Sequence, residues 1–223
     1  MKKPIQILYE DPYLLAINKP PRVASVPGSN LALQETVMGK IQLQLRGRDF
    51  VPYLIHRLDL ETSGVLLFGK HEKDRRALEQ IFRHPETRKK YVALVRGFPT
   101  GKVIAKKLKA RESDEMIDSQ TNYKVLDVFK APAPLCALVE AEIKTGRKHQ
   151  IRQHFAMVGH PIIMDSRYGD FHFNRKFRIK YHLGRQFLHA ASISFHHPLL
   201  KKQIHIEAPL APDLKVILKR LSF

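Results

Sequence analysis

The chain has 223 residues, and its 39 Lys and Arg against 21 Asp and Glu give a formal net charge of +18. A hydrophobic fraction of 43% is typical of a globular protein and excludes a disordered chain. The positive charge favours a polyanionic partner, either the phosphates of a nucleic acid or an acidic membrane surface.

No apolar run is long enough to cross a bilayer, and the first residues lack the apolar core of a signal peptide. The one cysteine, Cys136, excludes a disulfide within the chain and a cysteine-based zinc site. It lies in an apolar run and is expected to be a small core residue. These features together predict a cytoplasmic protein.

In the first half of the chain, hydrophobic periodicity and turn residues define six elements. The pattern predicts a hairpin of two strands, a helix, a buried strand, a second helix and a further strand, at 5–9 with 13–19, 31–48, 64–70, 73–84 and 89–97. Pro85 follows the second predicted helix, as is common after a helix end.

In the second half, the pattern predicts a loop or short hairpin, two strands, a helix, a loop rich in aromatic and basic residues, two strands and a closing helix, at 99–120, 121–129, 135–143, 148–158, 166–178, 187–195, 203–208 and 212–221. Strands outnumber helices and do not alternate regularly with them. The expected class is therefore α+β, around a mixed or mainly antiparallel sheet.

The segment IHRLDLETSGVLLFGK, residues 55–70, places Asp59 two residues after Arg57 and just before a buried strand. One interpretation is an exposed ion pair of little energetic consequence. The other is an active-site carboxylate, which a nearby arginine keeps ionised as a nucleophile requires. The local pattern leaves both open.

A second basic segment, KTGRKHQIRQH at 144–154, contains Lys148 and Arg152 four residues apart. On a helix these like charges would share one face and disfavour it, unless a phosphate or a carboxylate lies beside them. A solvated basic helix face is the alternative. Gly146, just before the predicted helix, suits close backbone approach to a ligand.

Tyr91 directly follows Arg88, Lys89 and Lys90. Aromatic faces stack on unpaired bases while cations hold phosphates, so this pattern suits RNA, although Tyr91 could equally be an ordinary half-buried strand residue. The twelve histidines form no HExxH pattern, and phosphate-binding and dinucleotide-binding glycine motifs are absent. A metal site and nucleotide hydrolysis therefore have no support.

Four segments in order resemble the RluA-type pseudouridine synthases. They are INKPP, HRLDLETSGVLLFGK, KKYVALVRG and KTGRKHQIRQHFAMVGHPIIMDSRYG. Four ordered motifs are far more specific than any one of them. The last block, with the residues up to Phe177, is most similar to the TruC subfamily, which modifies a tRNA uridine.

The resemblance implies the pseudouridine synthase fold, with a mixed, mainly antiparallel sheet flanked by helices and loops. It implies isomerisation of a uridine within RNA, without metal or organic cofactor. The glycosidic bond breaks, the base turns, and a carbon–carbon bond to the same ribose forms. An ordinary glycosidase usually needs two carboxylates, whereas this family relies on one.

By motif position, the resemblance makes Asp59, Tyr91 and Arg152 the catalytic residues. Asp59 would be the essential carboxylate, acting either as a nucleophile or by removing a ribose proton. Tyr91 would stack on the flipped base, and Arg152 would pair with Asp59. The residues expected to bind substrate are Arg57, which fills the space left by the flipped base, Ile151 as an apolar wall, and His56, Arg88, Lys89, Lys90, Arg147, Lys148 and His149.

Two positions depart from the family pattern, because Arg22 and Met164 stand where relatives have glycine. We expect a single, monomeric catalytic domain over residues 1–223, without the additional N-terminal RNA-binding domain of some relatives. RNA, most readily tRNA, is the expected partner. The alternatives are ribosomal RNA as substrate, and a non-catalytic RNA-binding protein or RNA chaperone on the same fold.

Overall fold

A computed structural model describes residues 4–28, 31–110, 113–130 and 135–222. The chain divides into two compact units. Unit 1 comprises Met1–Thr87 and Ala190–Pro209, and unit 2 comprises Arg88–His189 and Leu210–Phe223. The prediction of a single catalytic domain is not decided by this division.

The described residues form ten strands and five α-helices. The strands are β1 Ile7–Glu10, β2 Leu14–Lys19, β3 Tyr53–Leu54, β4 Ser63–Gly69, β5 Arg88–Arg96, β6 Val103–Lys109, β7 Met116–Phe129, β8 Cys136–Ile143, β9 Leu188–His196 and β10 Gln203–Glu207. The helices are α1 Val37–Gln44, α2 Arg75–Glu79, α3 Gln150–Met157, α4 Phe171–Tyr181 and α5 Pro212–Leu221.

Unit 1 is built on the strand order β1-β2-β4-β9, with β3 beside β4 and β10 beside β9. Strand β4 is buried along its whole length, because both of its faces are covered. Its Leu66 and Phe68 pack with α1 residues such as Ile41. Its Val65 and Leu67 pack on the other face, with residues of α2 and β10.

Unit 2 is built on the antiparallel order β5-β8-β7-β6. Alternate residues of β5 enter two separate clusters, since successive side chains of a strand point to opposite faces. Leu94 joins the cluster of α4 and α5, whereas Ala93 and Val95 join the cluster that includes Phe155 of α3. Helix α3 thus packs on one face of these strands, and α4 and α5 pack on the other.

The predicted α+β class with a mainly antiparallel sheet is confirmed. The strands predicted at both ends of the chain and around the motifs also form. Cys136 is fully buried, and burial raises the pKa of its thiol to about 12. No helix in the described ranges combines the length and apolar character needed to cross a membrane.

Several predicted elements differ from those observed. The helix expected at 31–48 is a 3-10 turn at Leu33–Glu35 followed by the short α1. The helix expected at 73–84 is α2 flanked by 3-10 turns. By contrast, the charged segment 99–120, predicted to be a loop or a short hairpin, contains the antiparallel pairing of β6 with the first part of β7.

The loop predicted at 166–178 is wrong, because its second half begins the eleven-residue helix α4. The Asp170 side chain accepts a hydrogen bond from the Phe173 backbone amide and so caps the helix N-terminus. Phe177 and Tyr181, four residues apart, supply its buried stripe. The many exposed cations of this segment concealed that stripe in the sequence.

Candidate active site

The loop that carries Asp59 lies in unit 1, between β3 and β4. Asp59 is half-buried and Arg57 is exposed. The Asp59 carbonyl accepts a hydrogen bond from the Thr62 amide at 3.1 Å, which closes a turn over Leu60 and Glu61. The carboxylate therefore stands on a turn that leads directly into the buried strand β4.

The buried ammonium group of Lys19 stabilises this turn through hydrogen bonds. Its Nζ donates to the carbonyls of Pro20 at 3.0 Å, Leu60 at 3.1 Å and Thr62 at 2.7 Å. The Lys19 side chain is fully buried. Three carbonyl dipoles aimed at one cation offset part of the cost of burying that charge. The INKPP segment thus acts as an anchor for the Asp59 turn.

Three further contacts hold the same loop. The Ser25 hydroxyl donates to the Leu58 carbonyl at 3.0 Å, and the Arg22 amide donates to the Leu60 carbonyl at 2.9 Å. Nε2 of His56 accepts the Leu67 amide of β4 at 3.0 Å, so this nitrogen carries no proton. His56, predicted to bind substrate, is therefore engaged in positioning the loop.

The glycine of the Thr-Ser-Gly motif is required by its surroundings. Gly64 has φ of +112°, and a Cβ placed there would lie 2.1 Å from the Ala190 carbonyl oxygen of β9. Any side chain would push β4 from β9 at the foot of the Asp59 turn. The motif is thus explained by close strand packing together with a backbone conformation that favours glycine.

Tyr91 lies in unit 2 on β5, opposite Ala141 of β8. It is half-buried and packs against the same apolar cluster as α3. Arg88 and Lys90 are near Glu142 and Glu140, at 3.5 Å and 3.2 Å. Two of the cations predicted to hold phosphates thus lie beside carboxylates.

Lys89 differs from its neighbours, because it is 7% exposed and donates to the Lys144 carbonyl at 2.8 Å. Burial lowers the pKa of its ammonium group to about 8. This environment argues against direct phosphate contact by Lys89. Its observed hydrogen bond instead ties β5 to the segment before α3.

Helix α3 begins at Gln150, two residues later than predicted. Lys148 therefore precedes the helix, and the expectation that Lys148 and Arg152 share a helix face is wrong. His149 has φ of 53°, in the left-handed region, and its Nδ1 lies 3.1 Å from the Tyr168 hydroxyl. This backbone reversal places Lys148, which is exposed, outside the helix.

Gln150, which the sequence reading missed, organises the start of α3. Its Oε1 accepts from the Thr145 hydroxyl at 2.8 Å and the Arg147 amide at 3.2 Å, and its Nε2 donates to the Gln120 carbonyl at 2.9 Å. Arg147 Nε is a buried donor with no hydrogen-bond partner among the described residues. The predicted role of Arg147 in binding substrate stays a prediction.

Arg152 is 7% exposed and makes a bidentate ion pair with Asp165. Its Nε lies 2.7 Å from Oδ2, and its Nη2 lies 2.9 Å from Oδ1. The Tyr168 ring lies under the guanidinium at 5.3 Å. The resemblance predicted only Asp59 as the partner of Arg152. Asp165 was not predicted, although it stands in the GHPIIMD segment of the last motif.

Asp165 is held as firmly as Arg152. Its Oδ1 also accepts the amides of Arg167 and Tyr168 at 2.9 Å and 3.0 Å. Burial acts to raise the pKa of Asp165, but the hydrogen bonds from Arg152 and the two amides outweigh it and lower the pKa. Asp165 is therefore ionised and keeps Arg152 charged and oriented.

The turn before Asp165 explains a family glycine position. Met164 has φ of 64°, where relatives have glycine, and Arg22 likewise has φ of 60°. Asn174 of α4 accepts the Met164 amide at 2.8 Å and donates to the Asp165 carbonyl at 3.0 Å. A Cβ on Gly169 would lie 2.3 Å from that carbonyl oxygen. Arg22 and Met164 thus both adopt the left-handed backbone that favours glycine, which carries some conformational cost.

Two other residues of the α3 motif are buried. Ile151, predicted as a wall of the base pocket, is 4% exposed within the apolar cluster of unit 2. His154 is fully buried, with Nδ1 2.8 Å from the Thr121 hydroxyl and Nε2 3.1 Å from the Ser119 hydroxyl. Burial lowers the pKa of His154, so it is neutral and fastens α3 to β7.

The described residues contain no group of three or more His, Cys, Asp or Glu side chains arranged to hold a metal ion. The chemistry available is that of a carboxylate on a fixed turn, an aromatic ring on a strand, and a buried arginine held by a carboxylate.

Residues 13–157 match the family described as RNA pseudouridylate synthase. The chain is 37% identical over 226 residues to ribosomal large subunit pseudouridine synthase C of Vibrio vulnificus, covering 96% of this chain and 69% of the relative. It is 39% identical over 228 residues to the enzyme of that name from Escherichia coli, again covering 96% and 69%. Among solved structures it resembles human RNA pseudouridylate synthase domain containing 4, with 25% identity, a TM-score of 0.77, and 97% and 93% of the two chains covered.

The chain belongs to the RluA-type RNA pseudouridine synthases, which are isomerases acting on RNA. The pseudouridine synthase fold is also confirmed. The assignment to the TruC subfamily is corrected, because the similar relatives are named as ribosomal large subunit enzymes. The short motifs that suggested TruC surround the residues to which the resemblance assigns catalysis, and such motifs carry little information on which RNA is bound.

Proposed function

We propose that this protein isomerises a uridine of large subunit ribosomal RNA to pseudouridine. The observation that carries the proposal is 37–39% identity, over almost the whole chain, to enzymes named for that substrate. The net charge of +18 suits a large folded RNA. This substrate replaces the tRNA expected from the motifs.

In the proposed reaction, Asp59 is the carboxylate on which isomerisation depends. Its turn is fixed by Lys19, Ser25 and the Arg22 amide, which supports a role requiring accurate positioning. The glycosidic bond breaks, the base turns, and a bond forms between a uracil ring carbon and the same ribose. That ring carbon loses its proton, and the ring nitrogen released from the ribose gains one. The reaction leaves the atom count and the oxidation state unchanged.

The other side chains are proposed to manage the flipped nucleotide. Arg57 is exposed and long enough to fill the space that the base leaves, which offsets part of the few kcal/mol that flipping costs. Tyr91 stacks on the base. Arg152, held charged by Asp165, supplies a fixed positive charge that keeps Asp59 ionised, and Ile151 supports the apolar wall of the base pocket.

Contacts to the surrounding RNA are proposed for the exposed or incompletely bonded cations Arg147 and Lys148, with His149 beside them. Arg88 and Lys90 would have to exchange their glutamate neighbours for phosphates. A ribosomal substrate also supports a cytoplasmic location, and we propose that the enzyme acts as a monomer.

The test is pseudouridine mapping of total RNA from cells that lack the gene and from cells rescued by variants. We expect one or more large subunit ribosomal RNA sites to disappear and to return with the wild-type protein. Asp59→Asn should not restore them, whereas Asp49→Asn, which changes an exposed carboxylate of the same unit, should restore them fully.

Each alternative outcome is distinct. Loss of a tRNA site alone would reject the ribosomal substrate and retain the chemistry. Rescue by Asp59→Asn would reject the role of Asp59. Purified protein that binds large subunit RNA but forms no pseudouridine in any RNA would favour a non-catalytic RNA-binding protein.

A further inference from the structure

The exposed face of helix α4 is strongly basic, and none of its side chains has a role in the reaction proposed above. Four cations, Arg175, Lys176, Arg178 and Lys180, are exposed on it, and α4 contains no Asp or Glu. The nearest carboxylate in sequence, Asp170, caps the helix and pairs with Arg96 at 2.5 Å. The face therefore concentrates positive charge on one short element.

Among the described residues, three of these cations lack the carboxylate neighbours that other cations of unit 2 have. Lys90 and Lys124 both lie 3.2 Å from Glu140 on the neighbouring strands. In the described part of the chain, by contrast, Arg175, Lys176 and Arg178 make no ion pair. Like charges three or four residues apart destabilise an isolated helix by a few tenths of a kcal/mol per pair. An anionic partner would remove that penalty.

Two apolar side chains stand among these cations. Phe171 is 72% exposed and Ile179 is 68% exposed. Phe171, Arg175 and Ile179 recur every four residues and so form one stripe, and Lys176 and Lys180 lie on the adjacent stripe. The helix is about 16 Å long, which is enough to follow a few successive phosphates.

We propose that this face of α4, defined by Phe171, Arg175, Lys176, Arg178, Ile179 and Lys180, docks the substrate RNA outside the target uridine. The cations bind backbone phosphates, and Phe171 stacks on an unpaired base. This inference rests on the proposed function, since it names a second contact for the same RNA. Two isolated apolar side chains are too few for the broad apolar face by which an interfacial helix enters a membrane.

Hydrogen bonds link α4 to the proposed catalytic arginine. Asn174, on the same helix, bonds the backbone on either side of the Met164–Asp165 peptide, and Asp165 holds Arg152. RNA bound to α4 is thus held at a fixed position relative to Asp165, which orients Arg152. The docking face should therefore contribute mainly to the affinity for RNA, and little to the rate at saturation.

The test compares two triple variants with the same change of −3 in net charge. The first is Arg175→Gln/Lys176→Gln/Arg178→Gln, in which glutamine preserves helix propensity. The control is Lys73→Gln/Arg76→Gln/Arg83→Gln, which removes three exposed cations of unit 1. The affinity for unmodified, transcribed large subunit ribosomal RNA is measured at KCl concentrations from about 50 to about 300 mM. Phosphate contacts weaken markedly over a range of this size.

We expect the α4 variant to reduce the slope of log K against log salt by about 2, since each lost phosphate contact removes about 0.7–0.9. Its Kd should rise at least about tenfold at the lower salt, and its KM should rise with kcat unchanged. The control should shift the slope by less than about 0.5, because its cations make no phosphate contact. Phe171→Ala should weaken binding without changing the slope.

An α4 variant with wild-type slope and KM, or a control that loses as much affinity, would overturn the docking face. Loss of binding to anionic lipid vesicles with unchanged RNA binding would also overturn it, in favour of a membrane surface. These readouts separate the two proposals. If the wild-type protein isomerises no ribosomal uridine but the α4 variant still loses the salt slope, the proposed function fails and the docking face stands.

Discussion

Both oxygens of Asp165 hold the guanidinium of Arg152, at 2.7 Å from Nε and 2.9 Å from Nη2, in an environment where each side chain is less than a tenth exposed. A buried ion pair is weak evidence of net stability, because desolvation opposes the attraction. Removal of either partner would, however, leave the other charge buried and uncompensated. The arginine to which the resemblance assigns a catalytic role is thus dependent on a carboxylate thirteen residues later.

The first prediction concerns this pair. Asp165→Ala leaves a buried guanidinium without its counter-ion and should lower the free energy of unfolding by about 3–5 kcal/mol. Adding Arg152→Ala should recover part of that loss, because the uncompensated charge is removed. Denaturant unfolding measures both. Exposed Asp118→Ala should change the free energy by less than about 0.5 kcal/mol, and strict additivity of the two buried changes would contradict the coupling.

The second prediction concerns Lys19. Lys19→Met keeps the length of the side chain but removes the ammonium donor from three carbonyls, of which Leu60 keeps the Arg22 amide. A buried acceptor that loses its donor costs about 1–3 kcal/mol. We expect a loss of about 2 kcal/mol or more in the free energy of unfolding, with faster hydrogen exchange of the Thr62 amide. Lys40 is the matched control, because its Nζ also donates to two carbonyls but in an exposed position.

Lys40→Met should cost less than about 1 kcal/mol, since water replaces the lost donor. The contradicting result would be an unchanged hydrogen-exchange rate of the Thr62 amide in Lys19→Met. That result would show that the Asp59 turn does not depend on the buried ammonium group.

The third prediction concerns the two residues with left-handed backbone at family glycine positions. Arg22 is exposed, so Arg22→Gly relieves strain and should change the free energy of unfolding by less than about 1 kcal/mol. Met164 is 4% exposed within the α4 and α5 cluster. Met164→Gly should therefore cost about 2 kcal/mol or more, as burial outweighs relief of strain. Equal effects of the two changes in denaturant unfolding would refute this ranking.

The fourth prediction concerns pH. Burial holds the pKa of His154 below the ordinary value of 6.5. As pH falls through 6.5, the unfolded state takes up a proton before the folded state does, so stability is complete above that pH and declines below it. Chemical unfolding at pH 7.5 and pH 5.5 should show this decline. His154→Gln should flatten it, whereas exposed His84→Gln should not. His197, whose pKa burial also lowers, accounts for a remaining slope.

Much of the fold followed from local pattern. Alternation and apolar runs predicted β2, β4, β5 and β8, because these strands are long enough to show their period or are buried on both faces. Helix α4 was missed because its buried stripe is narrow and its other side chains are charged or aromatic. The break-up of the predicted helix 73–84 into short turns likewise reflects tertiary packing, which local propensity does not report.

What the sequence by itself determined was the class of protein, the order of its motifs, and the place of Asp59 just before a buried strand. What only the tertiary structure decided was the partner of each buried charge. Lys19 meets carbonyls 41 and 43 residues away, and Lys89 donates to a carbonyl 55 residues away. Local spacing encodes the period of an element and its turns, whereas the partner of a buried charge depends on which distant segments the sheet brings together. The physical reason is that a charge removed from water must be compensated by whatever groups surround it in the fold.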